Sequence, residues 1–175
     1  MKYSYRIDYQ RTHDIDWFCK IGSMPVHIAS NGGLIPPNIL SRENFAVQTE
    51  VYNMPCIFSE DDVVICETAI RNIIFPNDQN FSEEAYGSYI KSFIDMARKG
   101  FVSLDRIDIG ETAECSEDER YIVVAYPKNL PGPELSQTVS RSLKEGLIDK
   151  CRILNWPDDL RKIQDEEDYC FIRTR

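Results

Sequence analysis

The chain opens on strict alternation. From Lys2 to Gln10, Tyr3, Tyr5, Ile7 and Tyr9 fall on one parity and Lys2, Ser4, Arg6, Asp8 and Gln10 on the other. A period of two predicts a half-buried strand. Arg11 to Asp14 reads as a turn. Ile15 to Ile21 predicts a second strand with Trp17, Cys19 and Ile21 on one face, and Gly22-Ser23 leads into a third, Pro25 to Ala29. Connections this short allow only antiparallel pairing, so the front of the chain is expected to be a meander. Ser30-Asn31-Gly32-Gly33 follows; Asn-Gly tolerates positive φ and marks a tight turn. Pro36-Pro37 then interrupts regular pairing.

Asn38 to Glu43 fits a loop or a short helical turn. Phe45, Val47, Thr49 and Val51 alternate and predict a strand over 45–52. Cys56 to Phe58 and Val63 to Cys66, split by Ser59-Glu60-Asp61-Asp62, could form a hairpin. Thr68 to Phe75 fits a strand by its β-branched residues and a helix by Ala69 and Arg71. The clearest helix spans Ser82 to Lys99. Ser82 is its N-cap, Glu83 and Glu84 favour its positive end, and Arg98, Lys99 and Gly100 close it. Tyr86, Ile90, Phe93, Ile94 and Ala97 form its apolar face.

Strands are predicted over Phe101–Ile109 and Tyr121–Tyr126, the second apolar on both parities and so covered on both faces. The acidic segment Gly110–Arg120 between them reads as a loop. A second main helix, Glu134–Lys150, carries Leu135, Val139, Leu143 and Leu147 on one stripe. Trp156 opens a short helix to Gln164, and Tyr169–Arg173 closes the chain as a strand. The expectation is an α+β fold: a mainly antiparallel sheet, two main helices on one face, and a short C-terminal helix. One domain over 1–175 suits the length, with 76–81 the best candidate boundary between subdomains.

Charge narrows the partners. Twenty Lys and Arg against 29 Asp and Glu give a net charge of −9. The basic residues are scattered, which disfavours nucleic acid and anionic membranes and permits a basic protein partner. No apolar run reaches the ~20 residues of a membrane helix. The N-terminus lacks the apolar core of a signal peptide, so a reducing, cytoplasmic setting is expected. Cys19, Cys56, Cys66, Cys115, Cys151 and Cys170 then read as thiols, although the even number would fit three disulfides in a secreted chain. None has zinc-site spacing, and no metal or cofactor is implied.

Thr12 to Ile39 holds both histidines, and candidate chemistry concentrates there. His13 with Asp14 and Asp16 has metal-ligand chemistry but poor spacing, and a polar turn is the plainer role. Cys19 and His27, on neighbouring strands, could pair as thiolate and base; packing is the competing role. Ser30, Asn31, Gly32 and Gly33 could form a backbone anion site, though without a phosphate-loop signature. The acidic runs Glu111–Glu119 and Asp165–Asp168 lack a calcium-loop register and read as solvated. Tyr3, Tyr5, Tyr9, Trp17 and Phe18 are either core beneath the Ser82–Lys99 helix or a recognition surface. Two functions follow. One is a non-enzymatic protein-binding, inhibitor-like domain. The other is a small enzyme or ligand-binding domain around Cys19, His27 and the Ser30–Gly33 turn.

Overall fold

A computed structural model describes residues 5–22, 24–36, 39, 42–76, 82–107, 120–129, 143, 153–157 and 160. Its centre is a five-stranded sheet in the order β1-β2-β4-β5-β3. The strands are β1 (Asp16–Ile21), β2 (Met24–Ala29), β3 (Val63–Ile65), β4 (Val102–Ile107) and β5 (Arg120–Pro127). β1/β2, β4/β5 and β3/β5 pair antiparallel, and β2/β4 pair parallel. The fold is α+β with a mixed sheet. A parallel neighbour needs a long crossover, and residues 30–101 supply it. The sheet therefore draws strands from both sides of 76–81.

The β1/β2 hairpin forms where the alternation places it, with Trp17 opposite Ile28 and Phe18 opposite His27. Asn31 and Gly32 take φ of 45° and 72°, as the Asn-Gly signal requires. β5 is buried along nearly its whole length. One edge of β5 pairs with β4. The other is shared: β3 covers Ala125 to Pro127, while Leu154 and Asn155 take over nearer the strand's start. Asn155 Oδ1 accepts from Val123 N at 2.7 Å and its Nδ2 donates to Val123 O at 2.9 Å. The amide side chain thus stands in for a neighbouring peptide.

The helices around the sheet include α1 (Ile7–Thr12), α2 (Arg42–Asn53), α3 (Glu67–Ala69) and α4 (Glu83–Arg98). α3 runs on into a π turn, Ile70–Ile74. α4 follows its sequence signals closely. Ser82 Oγ accepts from Ala85 N at 3.0 Å. Gly100, at φ 97°, ends the helix while Phe101 N reaches back to Met96 O at 3.1 Å and Gly100 N to Ala97 O at 2.9 Å. That pair of bonds is a Schellman closure, which a glycine makes without strain. Its buried stripe adds Met96 to the expected Tyr86, Ile90, Phe93 and Ala97, while Ile94 is half-buried.

Three expectations are corrected. Residues 5–10 do not form a strand: α1 starts at Ile7, and Tyr5, Tyr9 and His13 stack at helical spacing. Residues 45–52 lie in α2, where Val47 and Val51 share one buried face. Cys56–Phe58 pairs with no strand among the described residues; Ile57 N and Phe58 N donate instead to Arg98 O. The ambiguous Thr68–Phe75 segment is helical, through α3 and the π turn. Of the predicted elements, the Gly110–Arg120 loop except Arg120, the Glu134–Lys150 helix except Leu143, residues 158–159 and 161–164 of the short helix and the Tyr169–Arg173 strand lie outside the described residues, as do Lys2 to Ser4.

The sheet separates two packed layers. One face carries Phe18, His27, Ala29, Ser103, Ile122 and Val124 beneath α2 and α4. The other carries Trp17, Cys19, Ile28, Leu104 and Val123, covered by Ile35, Ile39, Ile153, Trp156 and Leu160 from irregular segments.

Candidate functional site

The helix-covered face buries an unusual polar line. β1, β2 and β4 set Asp16, His27 and Ser103 side by side, because Phe18 pairs with His27 and His27 with Ser103. His27 Nδ1 lies 2.6 Å from Ser103 Oγ. Its Nε2 lies 3.1 Å from Asp16 Oδ1, an ion-pair distance whose angle falls short of a hydrogen bond. Asp16 Oδ2 accepts from the Tyr52 hydroxyl at the end of α2, and Asp16 O from Gln48 Nε2. Phe18, Phe93 and Phe101 wall the array. Lys99, itself buried, fixes the end of α2 by donating to Val51 O at 2.9 Å and Tyr52 O at 2.8 Å.

Electrostatics follows from that packing. Burial pushes the Asp16 carboxyl up, but His27 and the Tyr52 hydroxyl outweigh it and hold it below the usual carboxylate value. Burial and the Asp16 charge raise the Tyr52 phenol, and Asp14 adds to the effect. The ionised Asp16 carboxylate faces His27 Nε2, so a proton on that nitrogen is the arrangement it favours. In the neutral ring, Nδ1 then accepts from the Ser103 hydroxyl. A second phenol–carboxylate pair lies beside this one: Tyr89 Oη donates to Asp105 Oδ2 at 2.7 Å. Burial, then Asp105, raises the Tyr89 phenol.

Serine, histidine and aspartate in one row suggest nucleophilic catalysis. Here the order of exposure is inverted. Ser103 and His27 are 0% exposed, whereas the Asp16 side chain is 26% exposed. A nucleophile must reach its substrate and its carboxylate partner can be buried; in this protein the carboxylate meets solvent and the hydroxyl does not. The row couples three strands and α2.

The sequence candidates scatter around this row. Cys19 pairs with Val26, so its side chain is on the opposite face from His27, and the thiolate–imidazole pair does not form. His13 stacks on Tyr9 at 3.8 Å and holds Tyr9 O at 3.0 Å through Nδ1, at the end of α1. Asp14 turns to the tight turn, accepting from Asn31 N at 2.8 Å. No group of three metal-capable side chains converges among the described residues.

The Ser30–Gly33 turn is already filled from within. The Asp14 carboxylate occupies the Asn31 N–H that an anion would need, Ser30 Oγ accepts from Ile15 N at 2.8 Å, and Gly33 N bonds Ser30 O at 2.7 Å. Asn31 Nδ2 donates to Arg106 O at 3.1 Å. A Cβ on Gly33 would lie 1.3 Å from the Arg106 guanidinium, so this glycine makes room for an arginine.

Trp17 and Phe18 are core, while Tyr9 and Tyr52 are 43% and 50% exposed. Sequence reading missed Ser103 and Tyr52. β4 reads Val-Ser-Leu-Asp-Arg-Ile, so Ser103 is one polar residue of three there, and nothing in the sequence singles it out or pairs it with His27. No helix among the described residues is long and apolar enough to cross a membrane. Comparison with protein-family models, curated proteins and solved structures gives no match.

Proposed function

We propose that this protein is a binding domain that engages another protein through the aromatic surface of α1 and the end of α2, and performs no chemistry of its own. The observation that carries this reading is the inverted burial of the Ser103–His27–Asp16 row, which leaves no reachable nucleophile there. Ile7 and Tyr9 of α1 and Tyr52 of α2 are three of the exposed large apolar or aromatic side chains, and Tyr5, Tyr9 and His13 stack along α1. Rigid phenols bury area at low entropic cost, which suits recognition. The net charge of −9 favours a basic partner surface, and the exposed free thiol of Cys56 suits a reducing, cytoplasmic setting. The competing reading, an enzyme or ligand site around Cys19, His27 and the Ser30–Gly33 turn, has its thiol on the wrong face and its turn N–H occupied.

The test is retention of a partner from native cell extract by the immobilised full chain, read by mass spectrometry. A protein held by the wild type and lost by the Ile7→Ser/Tyr9→Ser variant, at unchanged circular dichroism, is the expected result. Retention that ignores the substitutions, or labelling of Ser103 by a fluorophosphonate probe, would overturn it.

A further inference from the structure

Where β3 ends, the chain turns at Cys66 into α3 and the π turn, and a cleft of about 740 Å³ opens beside them. That volume falls in the range of small-molecule sites, roughly 300–1,000 Å³. Its apolar lining comes from Val63 and Ile65 of β3, Ile73 of the π turn and Tyr126 of β5. Val63, Ile65 and Ile73 pack against the core beneath α4 and yet stay partly open. Asn155 and Pro157 close the far wall, with Asn155 fixed by its two bonds to Val123.

Two further features bear on what the cleft would hold. The first is the π turn. Phase slips of this kind are rare, they lose regular hydrogen bonding, and they recur at functional sites. Here Phe75 N closes on Ile70 O at 3.2 Å, and the widened turn contributes Asn72 and Ile73 to the lining. The second is charge. The lining contains no Lys, Arg or His; Glu67 is its one charged side chain. Glu67 is exposed and enters no ion pair among the described residues, and the Thr68 and Asn72 side chains are likewise without a protein partner among them. The lining's one carboxylate, which with Arg71 also acts on the Tyr86 phenol, lies beside the Thr68 hydroxyl and the Asn72 amide above an apolar floor; it matches an ammonium group on an apolar body and disfavours a carboxylate or phosphate.

We infer that this cleft is a binding site for a small amphiphilic amine: the apolar part lies on Val63, Ile65 and Ile73, and the ammonium meets Glu67, with Thr68 and Asn72 accepting its remaining protons. The inference stands apart from the protein-partner reading, since the aromatic surface of α1 contributes nothing to this lining.

Chemical-shift titration of the full chain with phenethylammonium, and separately with 3-phenylpropanoate, tests it. The ammonium should move the amides of residues 63–73 and bind about fivefold or more tightly than the carboxylate, the scale of one partly exposed charge contact. Glu67→Gln, a surface change that leaves folding intact, should bring the two probes to similar affinity. Ala69→Trp should fill the cleft and abolish both. Equal binding of the two probes by the wild type, shifts confined to other residues, or a preference that survives Glu67→Gln would each overturn it.

Discussion

Ser103 and Leu104 are neighbours on β4, and both are 0% exposed. They face opposite worlds. Leu104 packs among Trp17, Ile28 and Val123, where stability comes from apolar area and close packing. Ser103 opens a row that runs through His27 to the partly exposed Asp16 and on to Tyr52. One face of the sheet is held by contacts that do not depend on pH or on direction. The other depends on four polar groups keeping their geometry in a low-dielectric layer. The difference locates the sensitivity of this fold: substitution on the apolar face should cost more, but only the helix-covered face should respond to solution conditions through a specific group.

The largest test of that contrast is Leu104→Ala. It removes apolar contacts and leaves a cavity, and should cost about 2–5 kcal/mol in urea unfolding, with no dependence on pH of its own. A loss under about 1 kcal/mol would mean that the irregular segments over this face collapse into the gap, so that the layer is not close-packed. Ser103→Ala comes next. It strands His27 Nδ1 in a dry layer and should cost about 1–3 kcal/mol. The same substitution leaves the apolar layer untouched, so its effect should add to that of Leu104→Ala only if the two faces are independent. A coupling beyond about 0.5 kcal/mol in the double mutant would show that the bulge between Ser103 and Leu104 transmits strain between them.

The two layers also differed in how far they could be read from sequence. The β1/β2 hairpin and α4 were legible because turn chemistry, caps and periodicity agree there: Gly22 with φ 62° between the strands, Ser82 at the cap, Gly100 past the end. α1 and α2 were misread because a period of two contains every i, i+4 pair. Tyr5, Tyr9 and His13, or Val47 and Val51, sit equally well on a strand face and on a helix face. Too little polar punctuation surrounds them to choose, and tertiary packing decides. The polar row was illegible for another reason. Its members are separated by 11 and 76 positions, and only the parallel β2/β4 register brings His27 beside Ser103. That crossover, with β3 placed on the far edge, leaves no local trace in the residues.

Asp16→Asn is the smallest change and the sharpest in kind. The amide keeps the shape of the carboxylate and an acceptor for Tyr52, but loses the negative charge that faces His27 Nε2. Because the side chain is partly exposed, the loss near neutral pH should be about 1 kcal/mol. Its pH dependence follows from the folded carboxyl lying below its ordinary value of 3.8. The native state holds Asp16 ionised more readily than the unfolded chain does, so this stabilisation is present above 3.8 and is lost as pH falls through the folded value. Wild type and Asp16→Asn should therefore differ in urea midpoint at about pH 6 and converge toward about pH 2, while Leu104→Ala keeps its deficit throughout. A gap between wild type and Asp16→Asn that stays constant across that range would place the Asp16 contribution in packing, and the contrast between the two faces would then reduce to one of size alone.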